Sequence, residues 1–225
     1  MRRHFVHFLW GSLLAILGVI TVFFISVWNG WVGYMPNMDE LSNPIDKFAS
    51  QVYSSDQQLI GTWNADNNNR VAIDYNGLSP HLVHALVATE DERFYEHGGI
   101  DVRGAFRAGF VALLSGGSKK QGASTLTQQL LKNQVFAGGE EETIMAAIER
   151  KIQEQYLAIQ LEHVYSKDQI LEYYLNTINL GQNTLGVQTA ALRYFNKSVS
   201  KLTLSEASVI AAITKNPTGN NPITH

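Results

Sequence analysis

The sequence predicts a mainly α-helical protein behind a single N-terminal membrane-spanning helix, with a short β element between the two. Three observations predict this class. The chain begins with a long charge-free apolar segment, continues with a weakly alternating stretch at 48–78, and from Ser79 onward repeats helix-capping patterns followed by apolar residues at helical spacing. The expected segments are a tail (1–7), a transmembrane helix (8–30), a juxtamembrane linker (31–47), the β element (48–78) and a helical body (79–216), with 217–225 as the start of a linker or a truncated C-terminal part.

The N-terminal segment has the composition of a membrane span. No Asp, Glu, Lys or Arg occurs between Arg3 and Asp39, and Phe8 to Val27 is almost wholly apolar. About 20 apolar residues span the hydrocarbon core of a bilayer. The arginines before the span predict a cytoplasmic N-terminus, and an aromatic belt is expected beyond its far end, at Trp28, Trp31 and Tyr34. The alternatives are a cleaved signal peptide, which would have a shorter apolar region, and a buried core helix.

Composition excludes several classes of function. The formal net charge is −3, so the chain has no broad basic field of the kind that a general nucleic-acid binder uses. The absence of cysteine excludes disulfides, thiolate metal sites and a cysteine nucleophile. The seven histidines show no metal-ligand spacing.

Local patterns predict the secondary structure of the rest of the chain. Short strands are expected at 51–53, 59–63 and 70–73, with turns at 54–56 and 66–69. A helix should begin at Ser79-Pro80, a second should cover 101–114, and a third should begin at Ser124 or Thr125. A long helix is expected at 141–162, and capping-box patterns at Ser166 and Thr203 should open two more.

Three segments carry polar groups suited to chemistry, and each has a simpler structural explanation. Acidic residues crowd the helix end at Glu90, where they oppose the helix dipole; the segment suits a general base or a solvated, salt-bridged surface. Residues 121–133 suit an anion site at a helix N-terminus, with Lys132 adding charge, or ordinary capping by Ser124 or Thr125. The third, Arg150-Lys151-x-x-Glu154, has the spacing of a surface salt-bridge pair.

Five motifs in order along the chain resemble those of the family 51 glycosyltransferases, the peptidoglycan polymerases. Members of this family occur as N-terminal domains of class A penicillin-binding proteins or as single-domain enzymes. The resemblance covers roughly residues 40–225. Its motifs stand here as Glu90-Asp91-x-x-Phe94-x-x-His97-x-Gly99, Gly122-x-Ser124-Thr125-x-Thr127-Gln128-Gln129, Arg150-Lys151-x-x-Glu154, the stretch from Tyr165 to Asn176, and Gly186 with Ala190-Ala191 and Tyr194-Phe195-x-Lys197.

The resemblance implies a role for each matching residue. Glu90 matches the catalytic base, which takes a proton from the acceptor's 4-hydroxyl, and Glu154 matches the second essential carboxylate. Residues matching the donor side and its pyrophosphate are Ser124, Thr125, Gln128, Gln129, Lys132, Arg150 and Lys151. Phe94 and His97 look like supports of the Glu90 segment. A divalent cation, Mg or Mn, at the donor pyrophosphate also follows from the resemblance, with no metal ligands assigned.

The resemblance also implies the fold, substrate and setting. It implies a lysozyme-like glycosyltransferase domain at 79–216 with a small membrane-proximal lobe, to which the apolar run 106–114 would belong unless it packs in the core. The substrates would be lipid-linked disaccharide-pentapeptide and nascent glycan, joined by β-1,4 links with inversion and release of polyprenyl diphosphate. The location would be the bacterial cell membrane, with an extracytoplasmic domain, no nucleic acid, and a cell-wall synthesis complex as a further partner.

Two departures and two rival functions accompany this assignment. An acidic stretch at 137–142 stands where some family members have an extra arginine, and the family's late helix with its arginine is not present before residue 225.

The first rival function is that of a glycan-cleaving enzyme, since paired carboxylates also suit hydrolysis. The second is a non-catalytic membrane scaffold that binds the precursor or a division partner.

Overall fold

The computed structural model describes residues 2–32, 50–56, 59–63, 70–116, 122–136, 138–139 and 143–223. Most of the predicted linker at 31–47 lies outside these residues. The elements are α1 (Arg2–Trp28), β1 (Ser50–Tyr53), β2 (Leu59–Trp63), α2 (Pro80–Glu90), α3 (Val102–Leu114), α4 (Leu126–Gln134), α5 (Ile144–Val164), α6 (Lys167–Thr177), α7 (Val187–Phe195) and α8 (Leu204–Lys215). Short 3-10 helices cover Tyr75–Gly77 and Val199–Lys201. The predicted class, mainly α with a short β element and one N-terminal apolar helix, is confirmed.

Helix α1 is long and apolar enough to cross a membrane between Val6 and Trp28. The apolar side chains along it are exposed, which contradicts the alternative of a buried core helix. Its contacts with the described part of the body lie at its C-terminal end: Val27 is fully buried, and the Trp28 ring lies 4.4 Å from the ring of Tyr156 on α5. The apolar helix therefore meets the helical body at one end.

The β element is an antiparallel pair, β1 with β2, joined through the predicted turn at 54–56. The third predicted strand, at 70–73, is wrong. Its backbone instead pairs with a side chain of α6: Asn176 Oδ1 accepts from Ile73 N at 3.0 Å, and Asn176 Nδ2 donates to Ile73 O at 2.8 Å. A side-chain amide can present the same donor and acceptor pair as a neighbouring strand. This segment is therefore fastened to α6 without being part of a sheet.

Capping chemistry sets the starts of three helices as predicted, while the long helix expected from 141 begins at Ile144. Thr125, Ser166 and Thr203 each form a complete capping box at the start of α4, α6 and α8. Thr143 and Asp101 cap α5 and α3 through their side chains. Each such cap contributes about 1 kcal/mol.

Sequence patterns do not predict helix α7, because it begins without a side-chain cap. Gly186 occupies its N-cap with φ of 77°, and a Cβ atom there would lie 2.7 Å from the Asn176 carbonyl oxygen. Only glycine accepts that conformation at such a close approach. The tight contact brings the start of α7 against the end of α6.

The core lies where α2 packs on α8 and where α4 packs between α5 and α6. Leu82 and Leu86 of α2, Ile210 of α8, Leu126 of α4 and Leu171 of α6 are fully buried. Burying each such side chain stabilises the fold by about 1.5–3 kcal/mol. This packing brings the C-terminal end of α2, the N-terminal end of α4 and the C-terminal end of α8 to one place.

Candidate active site

Glu90 is the last residue of α2, and donors from two other helices hold its carboxylate. Gln129 Nε2 of α4 donates to Glu90 Oε2 at 3.0 Å, and Thr214 Oγ1 of α8 lies 2.9 Å from Glu90 Oε1. The carboxylate is half-buried. These donors offset the unfavourable position of an acid at a helix C-terminus, so the alternative of a merely solvated surface acid does not describe Glu90.

Tyr174 fixes the orientation of Gln129. A carboxylate only accepts hydrogen bonds, so the amide nitrogen of Gln129 must face Glu90, and its Oε1 then faces Tyr174. Tyr174 Oη donates to that Oε1 at 3.0 Å. Burial first, and the Glu90 charge second, raise the pKa of Tyr174 well above its usual range. The phenol therefore stays protonated and remains a donor.

Asp91, next to the Glu90 carboxylate, joins three segments and is itself buried. Its Oδ2 accepts from Leu126 N at the start of α4 at 3.0 Å, and His97 Nε2 lies 3.1 Å from both carboxylate oxygens. Asp91 thus fixes the end of α2 against the start of α4. The sequence assigns Asp91 no specific partner, because Leu126 lies 35 residues away.

Replacing Asp91 with alanine is expected to destabilise the fold by about 2–4 kcal/mol. The change leaves the buried Leu126 N–H and the His97 ring nitrogen without their acceptor, and each lost partner costs about 1–3 kcal/mol. Urea denaturation followed by circular dichroism measures the change. Asp74→Ala is the matched control, because Asp74 is exposed and makes no capping hydrogen bond; its effect should stay within about 0.5 kcal/mol. Equal effects of the two changes would contradict the role of Asp91.

A second network of hydrogen bonds and ion pairs, formed by Lys167 and Glu162, holds the segment that follows Glu90. Lys167 of α6 donates to the His97 carbonyl at 2.7 Å, pairs with Glu162 at 2.6 Å and lies 4.3 Å over the Phe94 ring. Glu162 also accepts from Thr127 Oγ1 at 2.5 Å. Phe94 is fully buried. The positions of Phe94 and His97 therefore suit the supporting role that the sequence predicts for them.

Glu154 lies in the middle of α5 with its side chain fully buried. Arg150 pairs with its Oε1 one turn earlier, and Lys151 Nζ pairs with its Oε2 at 2.6 Å. The predicted i,i+4 and i,i+3 pairs are present. The alternative that they are a surface salt bridge is wrong, because the shared carboxylate has no contact with solvent.

Lys151 and Arg150 also contact neighbouring segments of the chain. Lys151 Nζ also donates to Ser124 Oγ, just before α4, at 3.0 Å. On the other side, Gly139 passes close to Lys132 and Arg150: a Cβ atom there would lie 2.6 Å from Lys132 Cε. The described part of the acidic stretch, 138–139, therefore folds against two cations.

A cleft of about 630 Å³ opens beside Glu90 and brings most of the predicted site residues together. Six of them line it: Glu90, Ser124, Gln128, Gln129, Lys132 and Lys151. The other five predicted residues do not line this cleft. Thr125, Arg150, Glu154 and Phe94 are buried, and His97 is half-buried against Asp91. The structure thus divides the predicted set into a cleft-lining group and a supporting layer.

The cleft also contains residues that sequence reasoning missed. Arg107 of α3 and Lys215 of α8 add cationic side chains, and Tyr174 and Thr214 add hydroxyl groups. With them the lining holds four cationic and two acidic side chains, the second acid being Glu92. Two of these four residues have a signal in the sequence: Tyr174 lies within the motif stretch 165–176, and Lys215 is a cation in the last turn of a helix.

The described residues do not fit a divalent-cation site built by the protein alone. No group of three or more His, Asp or Glu side chains among them is placed to hold a metal ion. Both oxygens of Glu154, the deepest carboxylate, are taken by Arg150 and Lys151.

Comparison with known proteins identifies the family. The transglycosylase family profile matches residues 56–225. The chain is 44% identical over 189 residues to penicillin-binding protein 1A of Escherichia coli, covering 84% of this chain and 21% of that protein. It is 40% identical over 210 residues to penicillin-binding protein 1A of Haemophilus influenzae, covering 93% and 22%. The namesake from Clostridium botulinum is 46% identical over 154 residues, covering 67% and 18%.

The chain thus spans about a fifth of the length of these curated relatives. The matched segment contains all of the cleft-lining residues described above. It also contains the five motifs that resemble the family 51 glycosyltransferases. The chain therefore belongs to the transglycosylase family.

Proposed function

We propose that this chain is a peptidoglycan glycosyltransferase that polymerises lipid-linked disaccharide-pentapeptide into β-1,4 glycan and releases polyprenyl diphosphate. The observation that carries the proposal is the pairing, in one cleft, of a held carboxylate at Glu90 with four cationic side chains. A glycosyl transfer from a diphosphate needs a base for the attacking hydroxyl and positive charge for the leaving group. The cleft offers both.

In the proposed reaction Glu90 accepts the proton of the acceptor sugar's 4-hydroxyl. The freed oxygen electron pair forms the new bond to the anomeric carbon of the donor as the bond from that carbon to the diphosphate oxygen breaks. Attack from the face opposite the leaving group inverts the anomeric centre. The hydrogen bonds from Gln129 and Thr214 support this role, because a base must be held within reach of the proton that it removes.

The leaving diphosphate would be neutralised by the cations of the cleft. Lys132 and Lys151 match the family's donor-side positions, and Arg107 and Lys215 enlarge the cationic set. Glu154 acts behind them: it holds Arg150 and Lys151 in fixed positions rather than touching the reacting atoms. Positive charges fixed before the reaction stabilise developing negative charge without reorganisation.

A lipid substrate is supported by the exposed apolar surfaces of the chain. Besides α1, helix α3 exposes Phe106, Phe110, Leu113 and Leu114, so these side chains do not pack in the core. Exposed apolar surface of this kind marks contact with a membrane or a partner. We place α1 across the bacterial membrane with Arg2 and Arg3 on the cytoplasmic side and the cleft outside. The substrate's polyprenyl tail would lie in the same bilayer.

The test is polymerisation of purified precursor by the chain with α1 in place, reconstituted in lipid vesicles. Fluorescent lipid-linked disaccharide-pentapeptide should be consumed and a ladder of longer glycans should appear, with one polyprenyl diphosphate released per link. A glycan-cleaving enzyme would instead release soluble fragments from finished wall. A scaffold would bind the precursor and form no product. Either of those results would overturn the proposal.

A further inference from the structure

Among the residues that the structure describes, Thr214 is the side chain outside the five motifs that hydrogen-bonds to Glu90. It lies in the last turn of α8, the helix that packs on α2, and it is half-buried on the wall of the cleft. Its Oγ1 lies 2.9 Å from Glu90 Oε1 and 2.7 Å from the Ala211 carbonyl oxygen. The two contacts compete, because a threonine hydroxyl has one proton and both neighbours are acceptors.

The charge on Glu90 decides which contact receives that proton. A carboxylate attracts a donor more strongly than a neutral carbonyl does, so Thr214 donates to Glu90 while Glu90 is ionised. A protonated Glu90 carries a donor of its own. The hydroxyl then accepts from Glu90 and donates to Ala211 O. In both states Thr214 and Glu90 remain hydrogen-bonded.

The other partner of Glu90 lacks this ability. Gln129 presents an NH₂ group, which only donates, and its carbonyl oxygen is engaged by Tyr174. When Glu90 gains a proton on the oxygen that faces Thr214, the Gln129 contact at the second oxygen is preserved. The arrangement therefore assigns the proton to Oε1 and leaves Oε2 as a fixed acceptor.

From this geometry we infer that Thr214 is a positioning residue that holds Glu90 through its hydroxyl both before and after Glu90 takes up a proton. The inference rests on the proposed function, in which Glu90 is the base. Thr214 neither touches the substrate nor receives its proton in this scheme; it acts through the Glu90 carboxylate.

The experiment compares Thr214→Val, Thr214→Ala and Thr214→Ser in the vesicle polymerisation assay. Valine has the shape of threonine without the hydroxyl, alanine removes the hydroxyl without adding an apolar branch, and serine keeps the hydroxyl. We expect both variants without a hydroxyl to lower kcat about tenfold with KM within about twofold, because one hydrogen bond to a charged group is lost. Thr214→Ser should stay within about threefold of the wild-type kcat.

Ser208→Ala is the matched control on the same helix. The Ser208 hydroxyl is exposed and bonds the Leu204 carbonyl in its own helix, so its removal should leave kcat unchanged. A wild-type kcat in both Thr214→Val and Thr214→Ala would overturn the inference, as would a raised KM with unchanged kcat. An equal fall in Thr214→Ser would also overturn it, since that result follows from packing rather than from the hydroxyl. A fully active Glu90→Gln variant would instead refute the proposed function itself.

Discussion

Glu90→Gln is expected to reduce polymerisation by about 10²–10⁴-fold while the protein remains folded. Glutamine has the same shape and keeps a side-chain oxygen for one of the two donors, Gln129 or Thr214. It has no basic site for a proton at neutral pH. A positioned general base contributes about 10²–10⁴-fold, and this substitution removes all of it. The measurement is the initial rate of glycan formation from labelled precursor in vesicles.

A control in the same segment separates loss of the base from a change of charge near the membrane. Glu96 lies six residues further on, is exposed, and does not line the cleft. Glu96→Gln removes the same charge and should keep the wild-type rate within about twofold. Unchanged precursor binding by Glu90→Gln would place its effect in the chemical step. A Glu90→Gln variant that polymerises at the wild-type rate would refute the role of Glu90.

Glu154→Gln is expected to reduce activity by about 10²-fold or more and to lower the free energy of unfolding by about 3 kcal/mol. The substitution leaves Arg150 buried and Lys151 partly buried without the carboxylate that both contact. Removing one partner of a buried ion pair costs about 3–5 kcal/mol, and glutamine recovers part of this with its remaining oxygen. Because Lys151 also lines the cleft, its displacement should slow turnover, while precursor binding is partly kept.

Urea denaturation gives the stability change for Glu154→Gln, and the vesicle assay gives the activity change. Glu149→Gln is the control, since Glu149 lies on the same helix outside the cleft. It should change stability by less than about 0.5 kcal/mol. If Glu154→Gln matched the control in stability and in turnover, the Arg150–Glu154 pair would contribute no more than an ordinary surface salt bridge.

Glu154 shows what a local sequence pattern can predict and what it cannot. Helical spacing correctly placed Arg150 and Lys151 beside Glu154, because residues three and four apart share a helix face. Spacing does not say which face is buried. The packing of α5 against α4 buries Glu154, so Arg150 and Lys151 are held by a carboxylate that is shielded from solvent. The family motifs named Glu154 as a candidate without indicating that it is completely shielded from solvent.

The predicted strand at 70–73 failed for a related reason. Its composition suits an extended strand, but strand pairing depends on what lies alongside. Here the partner is the side chain of Asn176, which is 103 residues away. Helix α7, by contrast, is present in the structure but was not predicted. Its start depends on the contact of Gly186 with Asn176 rather than on a capping side chain.

The sequence by itself determined the apolar N-terminal helix, the helix starts at Thr125, Ser166 and Thr203, and the family to which the chain belongs. These follow from interactions within a few residues or from motifs in a fixed order. Only the tertiary structure decided what surrounds Glu90. Thr214 reaches it across 124 residues and Gln129 across 39. Such contacts depend on the packing of α2 against α8 and of α4 beside α6, because helix-to-helix placement is set by buried surfaces rather than by local propensity.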